Sequence, residues 1–406
     1  MLIKRTFYLD MIRPYYDVDL IKVITGVRRA GKSILLDSIR NELLERGICG
    51  ERIIYINLED FDYEFIKTSL DLHRELKGRC TAGGRYYIFI DEIQHIEGFE
   101  KVLASLRATL DVSVFVTGSN STLLSGELAT LLTGRAVEFE VLPFSFAEMK
   151  SYLEANNRPY NDDLIYDYIK WGGFPLRFDF TRSEDILRYL NTLYESIISK
   201  DIAKKSSRFD KKLFKDISFY ILANAGKAFS AENVVNSFKA QGRKSLTRQT
   251  VYSYLEKMQK AYLLHAVKKY NISGKEALKA HEKYYAVDMG FRIINTNTVN
   301  FEDTFFLENI VYNELKFRGY TVYAGKTYKG EVDFVAIKES KKCFIQVCYL
   351  LAAASTIERE FGAFKPISDA SPKYVMSLDK LDMSRDGIAH LNIVDFLLHR
   401  KDIALT

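Results

Sequence analysis

Three groups of residues in this sequence have types and spacings suited to chemistry on phosphates. The first is Gly26-Val27-Arg28-Arg29-Ala30-Gly31-Lys32-Ser33-Ile34, which ends a short apolar run and opens the helical pattern ILLDSIRNELLERG. Glycines at both ends let backbone N–H groups curl around phosphate oxygens, and the helix N-terminus adds its positive end. In such a cradle Lys32 reaches the β- and γ-phosphates, and Ser33 presents a hydroxyl to Mg²⁺. The second group is Asp91-Glu92, which ends the apolar run Tyr86-Tyr-Ile-Phe-Ile90. Asp91 is expected in the Mg²⁺ shell, and Glu92 is expected to polarise the attacking water. The next run, VSVFVTGSN, ends in Thr117, Ser119 and Asn120. These polar groups either touch the γ-phosphate or form an ordinary turn. The third group lies in the C-terminal third, where the acidic pair Glu331 and Asp333 sits on one apolar run and Gln346 and Cys348 alternate on the next.

Strand-like runs alternate with helical stretches through the first third, which predicts an α/β fold with a parallel sheet. The sheet covers at least LIKVIT, RIIYINLEDF, YYIFID, VSVFVT and AVEFEV. Runs that are apolar throughout suit strands covered on both faces.

Together, GVRRAGKS, IFIDEIQ, VFVTGSNSTLL and LLTGRAVEFEVLPFSF resemble an AAA+-type P-loop ATPase. Over nearly the whole chain the sequence is similar to a prokaryotic family that has a P-loop domain ahead of a C-terminal domain of unknown function. The resemblance implies an ATPase with ATP and Mg²⁺ as cofactors and Lys32 and Glu92 as catalytic residues. It makes Arg135 the candidate arginine finger, acting from a neighbouring copy in a homo-oligomer, with a structural ion pair as the other reading. It also implies a helical lid, broken at Trp171-Gly-Gly-Phe-Pro175. A helix after that break would carry Arg177, as a second phosphate sensor or as a solvated surface residue.

The middle of the chain carries the positive charge. Residues 200–287 hold 19 Lys+Arg against 7 Asp+Glu, a balance of +12 against +5 for the whole chain, so the remainder is acidic. That segment calls for an anionic partner. Three helical stretches, with Ser230 and Thr247 or Ser245 as N-caps, precede two β-like runs. NISGKEALKAHE between the runs reads as a wing. Three helices and a hairpin make a winged helix-turn-helix. Its third helix would offer Arg248, Gln249, Tyr252 and Lys257, with Arg243 and Lys244 just ahead, to nucleic acid, most naturally DNA. Winged helices also bind proteins, so a protein partner is the alternative.

In the C-terminal third, the order helix, strand, strand, strand, helix resembles the core of PD-(D/E)xK nucleases. The resemblance implies that Glu308, Asp333 and Gln346 gather a divalent metal beside a lysine two residues beyond the last of them. Cys348 stands there instead, and a thiol does not supply that charge. Gln346 also offers a neutral oxygen where hard cations favour an anionic one. These departures argue for an inactive nuclease-like fold, unless a cation such as Lys326, Lys329, Lys342 or Arg359 takes the lysine's role.

The expected division is an ATPase core at 1–145, a helical lid at 146–205, a winged helix at 206–292 and a nuclease-like α/β domain at 300–406. Four scattered cysteines point to a reducing, cytoplasmic setting rather than a zinc site. CFIQVCYLLAAA, the most apolar stretch, is too short to span a bilayer, so no membrane partner is expected.

Overall fold

The computed structural model describes residues 3–124, 134–161, 163–203, 209–296 and 304–405. The chain divides into two compact units. One spans Leu2–Leu142 with Lys260–Tyr262, and the other Pro143–Gln259 with Leu263–Thr406.

The first unit is the predicted α/β domain. In chain order it contains α1 (Thr6–Ile12), β1 (Ile21–Thr25), α2 (Lys32–Glu45), β2 (Ile53–Asn57), α3 (Ser69–Arg79), β3 (Tyr86–Asp91), α4 (Phe99–Thr109), β4 (Val112–Thr117) and β5 (Ala136–Glu140). Among the described residues these strands form a five-stranded sheet in the order β2-β3-β4-β1-β5. Every pairing is parallel. All residues of the central strands β1, β3 and β4 are buried, whereas edge strand β2 alternates. Helices cover both faces of the centre, which is why those strands tolerate continuous apolar sequence. Ile54, Ile88, Val114 and Val23 pack with Leu72, Leu76, Leu103 and Leu106 of α3 and α4 on one face.

The second unit begins with α5 (Phe146–Ala155), α6 (Leu164–Trp171) and α7 (Ser183–Ile197). Ser145 and Glu148 close a reciprocal capping box on α5. The break at Gly172-Gly173 is a packing requirement. Gly172 has φ +71, and a Cβ there would lie 1.8 Å from Asp288 Oδ1. Pro175–Asp179 then forms a short 3-10 turn instead of the expected longer helix. Arg177 is neither solvated nor open. It is buried, with its guanidinium on the Gly172 carbonyl and, at 3.0 Å, on Asp167.

The basic segment folds as α8 (Lys211–Ala223), α9 (Ala231–Ala240), α10 (Arg248–Lys260) and the hairpin β6 (Leu264–Asn271) and β7 (Glu276–Ala286). Ser230 and Thr247 accept the N–H groups of Asn233 and Thr250, as capping residues do. The expected wing is mostly strand. Asn271 Oδ1 accepts the Gly274 N–H at 3.2 Å, closing the turn early, so β7 starts seven residues before Lys283.

After α11 (Gly290–Thr296) come α12 (Thr304–Phe317), β8 (Thr321–Lys326), β9 (Glu331–Lys338), β10 (Lys341–Val347), α13 (Ala354–Gly362), β11 (Lys373–Ser377), β12 (Ala389–Asn392) and α14 (Ile393–Leu397). The helix, three strands and helix of the expected order are present. The hairpin does not stand apart from them. β6 pairs in parallel with β8, giving one sheet among the described residues, ordered β12-β11-β10-β9-β8-β6-β7. The segments 206–292 and 300–406 therefore share a sheet, and residues 206 and 300 themselves lie outside the described residues.

Candidate functional site

The phosphate loop leaves the C-terminal end of β1, where parallel α/β sheets open their crevices. Gly26 has φ +134, and a Cβ on it would sit 2.2 Å from the Val141 carbonyl oxygen. Only glycine permits that approach. Arg29 also takes a left-handed conformation, at φ 67, and Gly31 follows at φ +99 before α2 begins at Lys32. Lys32 is buried, with its ammonium on the carbonyls of Gly26 (3.1 Å) and Val27 (3.2 Å). Val27 and Ala30 are fully buried, whereas Ser33 is exposed and Ile34 half-buried at the helix start. Arg28 pairs with Glu59 at 3.3 Å.

The acids come from the end of β3. The Thr117 hydroxyl, at the end of neighbouring β4, donates to Asp91 Oδ1 and accepts the Glu92 N–H at 2.9 Å. Tyr55 OH donates to Asp91 Oδ2 at 3.3 Å. Glu92 sits at φ 55, a conformation that costs about 1–2 kcal/mol in a residue with a Cβ. Its carboxylate accepts from Gln94 Nε2, which also lies 3.5 Å from Ser119 Oγ. Ser119 and Asn120 are buried beyond the end of β4.

Arg135 is exposed and level with the start of β1, since its carbonyl accepts the Ile21 N–H at 2.9 Å and Ala136 pairs with Ile21. The phosphate loop starts after Thr25, paired with Glu140. Arg135 is thus at the far edge of the sheet from its own loop, roughly 15 Å at the rise of a strand.

In the second unit, Lys244, Arg248, Gln249 and Tyr252 are exposed at the start of α10, with Tyr252 56% accessible. Arg248 lies 3.4 Å from Glu232, Arg243 is ion-paired with Asp216, and Lys257 is half-buried.

Glu308 on α12, Asp333 on β9 and Gln346 on β10 come together. Gln346 Oε1 accepts the Asp333 N–H at 3.2 Å, and Asp333 Oδ2 accepts the Val347 N–H at 2.8 Å. The cation beside them is Lys283 of β7, not Lys326, Lys329, Lys342 or Arg359. Its ammonium lies 2.7 Å from Glu308 Oε1 and 3.8 Å from Asp333 Oδ1. Lys342 and Arg359 are paired elsewhere, with Asp369 and Glu360. Burial, more than any partner, holds the Glu308 and Asp333 carboxyls above the ordinary range. Burial likewise pushes the Cys348 thiol up, so it stays neutral. Among the described residues, no group of three or more His, Cys, Asp or Glu is placed to hold a metal ion.

Residues 19–150 match the family described as AAA domain, and residues 162–299 match a domain of unknown function (DUF8612). An uncharacterized protein of Haemophilus influenzae is 35% identical over 407 residues, covering 98% of this chain and 99% of that one. This chain belongs to the same family. Uncharacterized protein MJ1544 of Methanocaldococcus jannaschii is 31% identical over 370 residues, covering 86% of this chain and 79% of that protein. Among solved structures, the chain is similar to the Walker-type ATPase PABY2304 of Pyrococcus abyssi, at 16% identity and a TM-score of 0.49, over 72% of this chain and 95% of that one. It is also similar to AMPPCP-bound DnaA of Aquifex aeolicus, at 15% identity and a TM-score of 0.35, over 64% and 89% of the two chains. Both likenesses are distant.

The family's AAA domain therefore contains the phosphate loop, Asp91, Glu92 and Arg135. Three residues around the candidate sites are missed by reading the sequence. Arg5 is buried and donates to the carbonyls of Ala30 (3.0 Å) and Leu142 (2.9 Å), clamping the loop to the strand end. No local signal marks it. Gln94 stands two residues after Glu92, and its spacing was a usable signal. Lys283 reads only as the first residue of a β-like run, with no local signal of the acids it meets. Among the described residues, no helix is long and apolar enough to cross a membrane.

Proposed function

We propose that this protein binds ATP with Mg²⁺, hydrolyses it, and couples the nucleotide state to contact with DNA through α10. The observation that carries the first part is the grouping of Lys32, Asp91 and Glu92 at one edge of the parallel sheet, with Thr117 ordering both acids. Backbone N–H groups of residues 27–33 would receive the phosphates. Lys32 would exchange two neutral carbonyls for phosphate oxygens, a stronger charge-assisted pairing. Ser33, exposed at the helix start, and Asp91 would hold Mg²⁺, which when bound neutralises charge on the β- and γ-oxygens. Glu92 would orient the attacking water and take its proton, with Ser119 and Asn120 beside it. Arg135 would serve a neighbouring copy, because its backbone lies at the opposite end of the sheet from its own loop.

The DNA reading rests on the charge of residues 200–287 and on the exposed set Lys244, Arg248, Gln249 and Tyr252. We keep the lid (146–205), reader (206–292) and inactive nuclease-like region (300–406) as the working division, and a cytoplasmic setting with all four cysteines free. A protein-directed switch is the second reading. It is favoured by Phe61, 82% accessible on the acidic loop after β2, whose Glu59 holds the phosphate-loop Arg28.

ATPase assays test the first part. Lys32→Ala should abolish turnover, and Glu92→Gln should keep ATP binding while turnover falls at least about 100-fold. Unchanged turnover in either variant refutes the assignment. Lys244→Ala with Arg248→Ala should weaken DNA binding and flatten its log-salt slope by roughly 2. An unchanged slope, with a partner lost on Phe61→Ala, would favour the switch.

A further inference from the structure

We infer that the carboxylate cluster of the C-terminal sheet is a cation site whose cation is built into the chain, the Lys283 ammonium, and that a divalent metal enters only when this ammonium is removed. The nuclease resemblance implies a metal here, and the residues present do not fit one. A hard divalent cation needs several oxygens at about 2.0–2.6 Å with free lone pairs directed inward. Glu308 Oε1 is taken by Lys283 and by Tyr285 OH. Asp333 Oδ2 is taken by the Val347 N–H, and the Gln346 oxygen by the Asp333 N–H. Lys283 stands between the two acids, and its side chain is only 7% accessible, against 3% for Glu308 and 15% for Asp333. A divalent ion would have to share this space with a buried like charge.

An ammonium meets the same electrostatic need. Two buried carboxylates cannot both stay ionised without a counter-charge. A second observation shows that the surroundings still favour a cation. Glu360 is buried, Arg359 holds one of its oxygens, and its other oxygen has no hydrogen-bond partner. Its charge adds to the negative field on Asp333. Taking away Lys283 would therefore leave three carboxylates beside one solvent-exposed guanidinium, that of Arg359, a setting that attracts a divalent ion.

The built-in cation also has a structural result. Lys283 lies on the hairpin, Glu308 on α12 and Asp333 on β9. Asn309 of α12 grips the same strand, with Oδ1 on the Ala286 N–H (2.9 Å) and Nδ2 on the Ala286 carbonyl (2.8 Å). The ammonium thus joins the basic segment to the nuclease-like sheet, in place of a metal that would have served phosphodiester cleavage.

The test titrates the full chain, without nucleotide, with Mn²⁺ alone, following free Mn²⁺ by electron paramagnetic resonance. Wild type, Asp333→Asn and Lys283→Arg should give the same isotherm. Lys283→Met should gain one site per chain, at least about 10-fold tighter than any in wild type, and Lys283→Met with Asp333→Asn should lose it. Lys283→Met is also expected to melt roughly 10 °C lower, because breaking a buried ion pair leaves its acids unpaired. Mn²⁺ should restore the melting temperature of Lys283→Met and not that of the double variant. The inference is overturned if wild type shows a Mn²⁺ site that Asp333→Asn removes. It is equally overturned if Lys283→Met gains no site when folded, or is not refolded by Mn²⁺.

Discussion

Thr117 shows how one hydroxyl can order a site. It donates to Asp91 and accepts from the Glu92 N–H, so a single side chain fixes the acid proposed to hold Mg²⁺ and the strained residue beside it. Without that acceptor, the left-handed turn at Glu92 would hold a buried, unpaired N–H, which costs about 1–3 kcal/mol. Thr117→Val keeps the shape and removes both bonds. Turnover should fall at least about 10-fold while ATP affinity changes little, because the hydroxyl's hydrogen bonds go to Asp91 and Glu92. Steady-state ATPase rates beside equilibrium nucleotide binding check this, and a loss confined to affinity would count against it. Arg5 acts on the other side of the loop. Its two carbonyl contacts set the path of the chain through Ala30, so the cradle depends on a residue from the start of the chain.

At the scale of elements, the central strand β1 carries a lysine where apolar residues belong. Lys22 is fully buried, on the Val18 carbonyl (3.0 Å) and Ser113 Oγ (2.8 Å), and its ammonium lies over the Phe115 ring. Burial first, then repulsion from Arg85, lowers its pKa from 10.5 to about 7. The folded group is thus neutral above pH 7, while the unfolded one stays protonated to pH 10.5. Unfolding takes up a proton in that window, so the Lys22 contribution to stability rises with pH, by up to about 1.4 kcal/mol per unit. Below pH 7 both states are protonated and the dependence ends. Urea unfolding at pH 7.5, 8.5 and 9.5 should show wild type gaining on Lys22→Met at each step. A constant difference between the two would show that the lysine keeps its charge. The second sheet poses the reverse problem. Its hairpin strand β7 carries a charged lysine inward, and Glu308 and Asp333 are there to meet it.

The molecule has two units, one with the phosphate loop and one with the basic helices and the seven-stranded sheet. A ligand that binds only the folded loop stabilises that unit by mass action, about 2.7 kcal/mol at 100 times its Kd. Calorimetry with ATP and Mg²⁺ should therefore raise one transition and leave the melting of the second unit where it was, and Lys32→Ala should cancel the rise. A uniform shift of all unfolding would mean that the units melt together. The sequence by itself determined the loop, the acids after it, the parallel sheet and the helix caps at Ser230 and Thr247. Each of these is encoded within a few residues, as glycines that permit a left-handed turn, side-chain oxygens that satisfy free N–H groups, or apolar runs of strand length. Only the tertiary structure decided that β6 joins β8, that Arg177 is buried on Asp167, that Arg135 lies at the opposite end of the sheet from its own loop, and that Lys283 meets Glu308 and Asp333. These depend on where distant segments meet, and the type of a residue does not state the path that brings its partner to it.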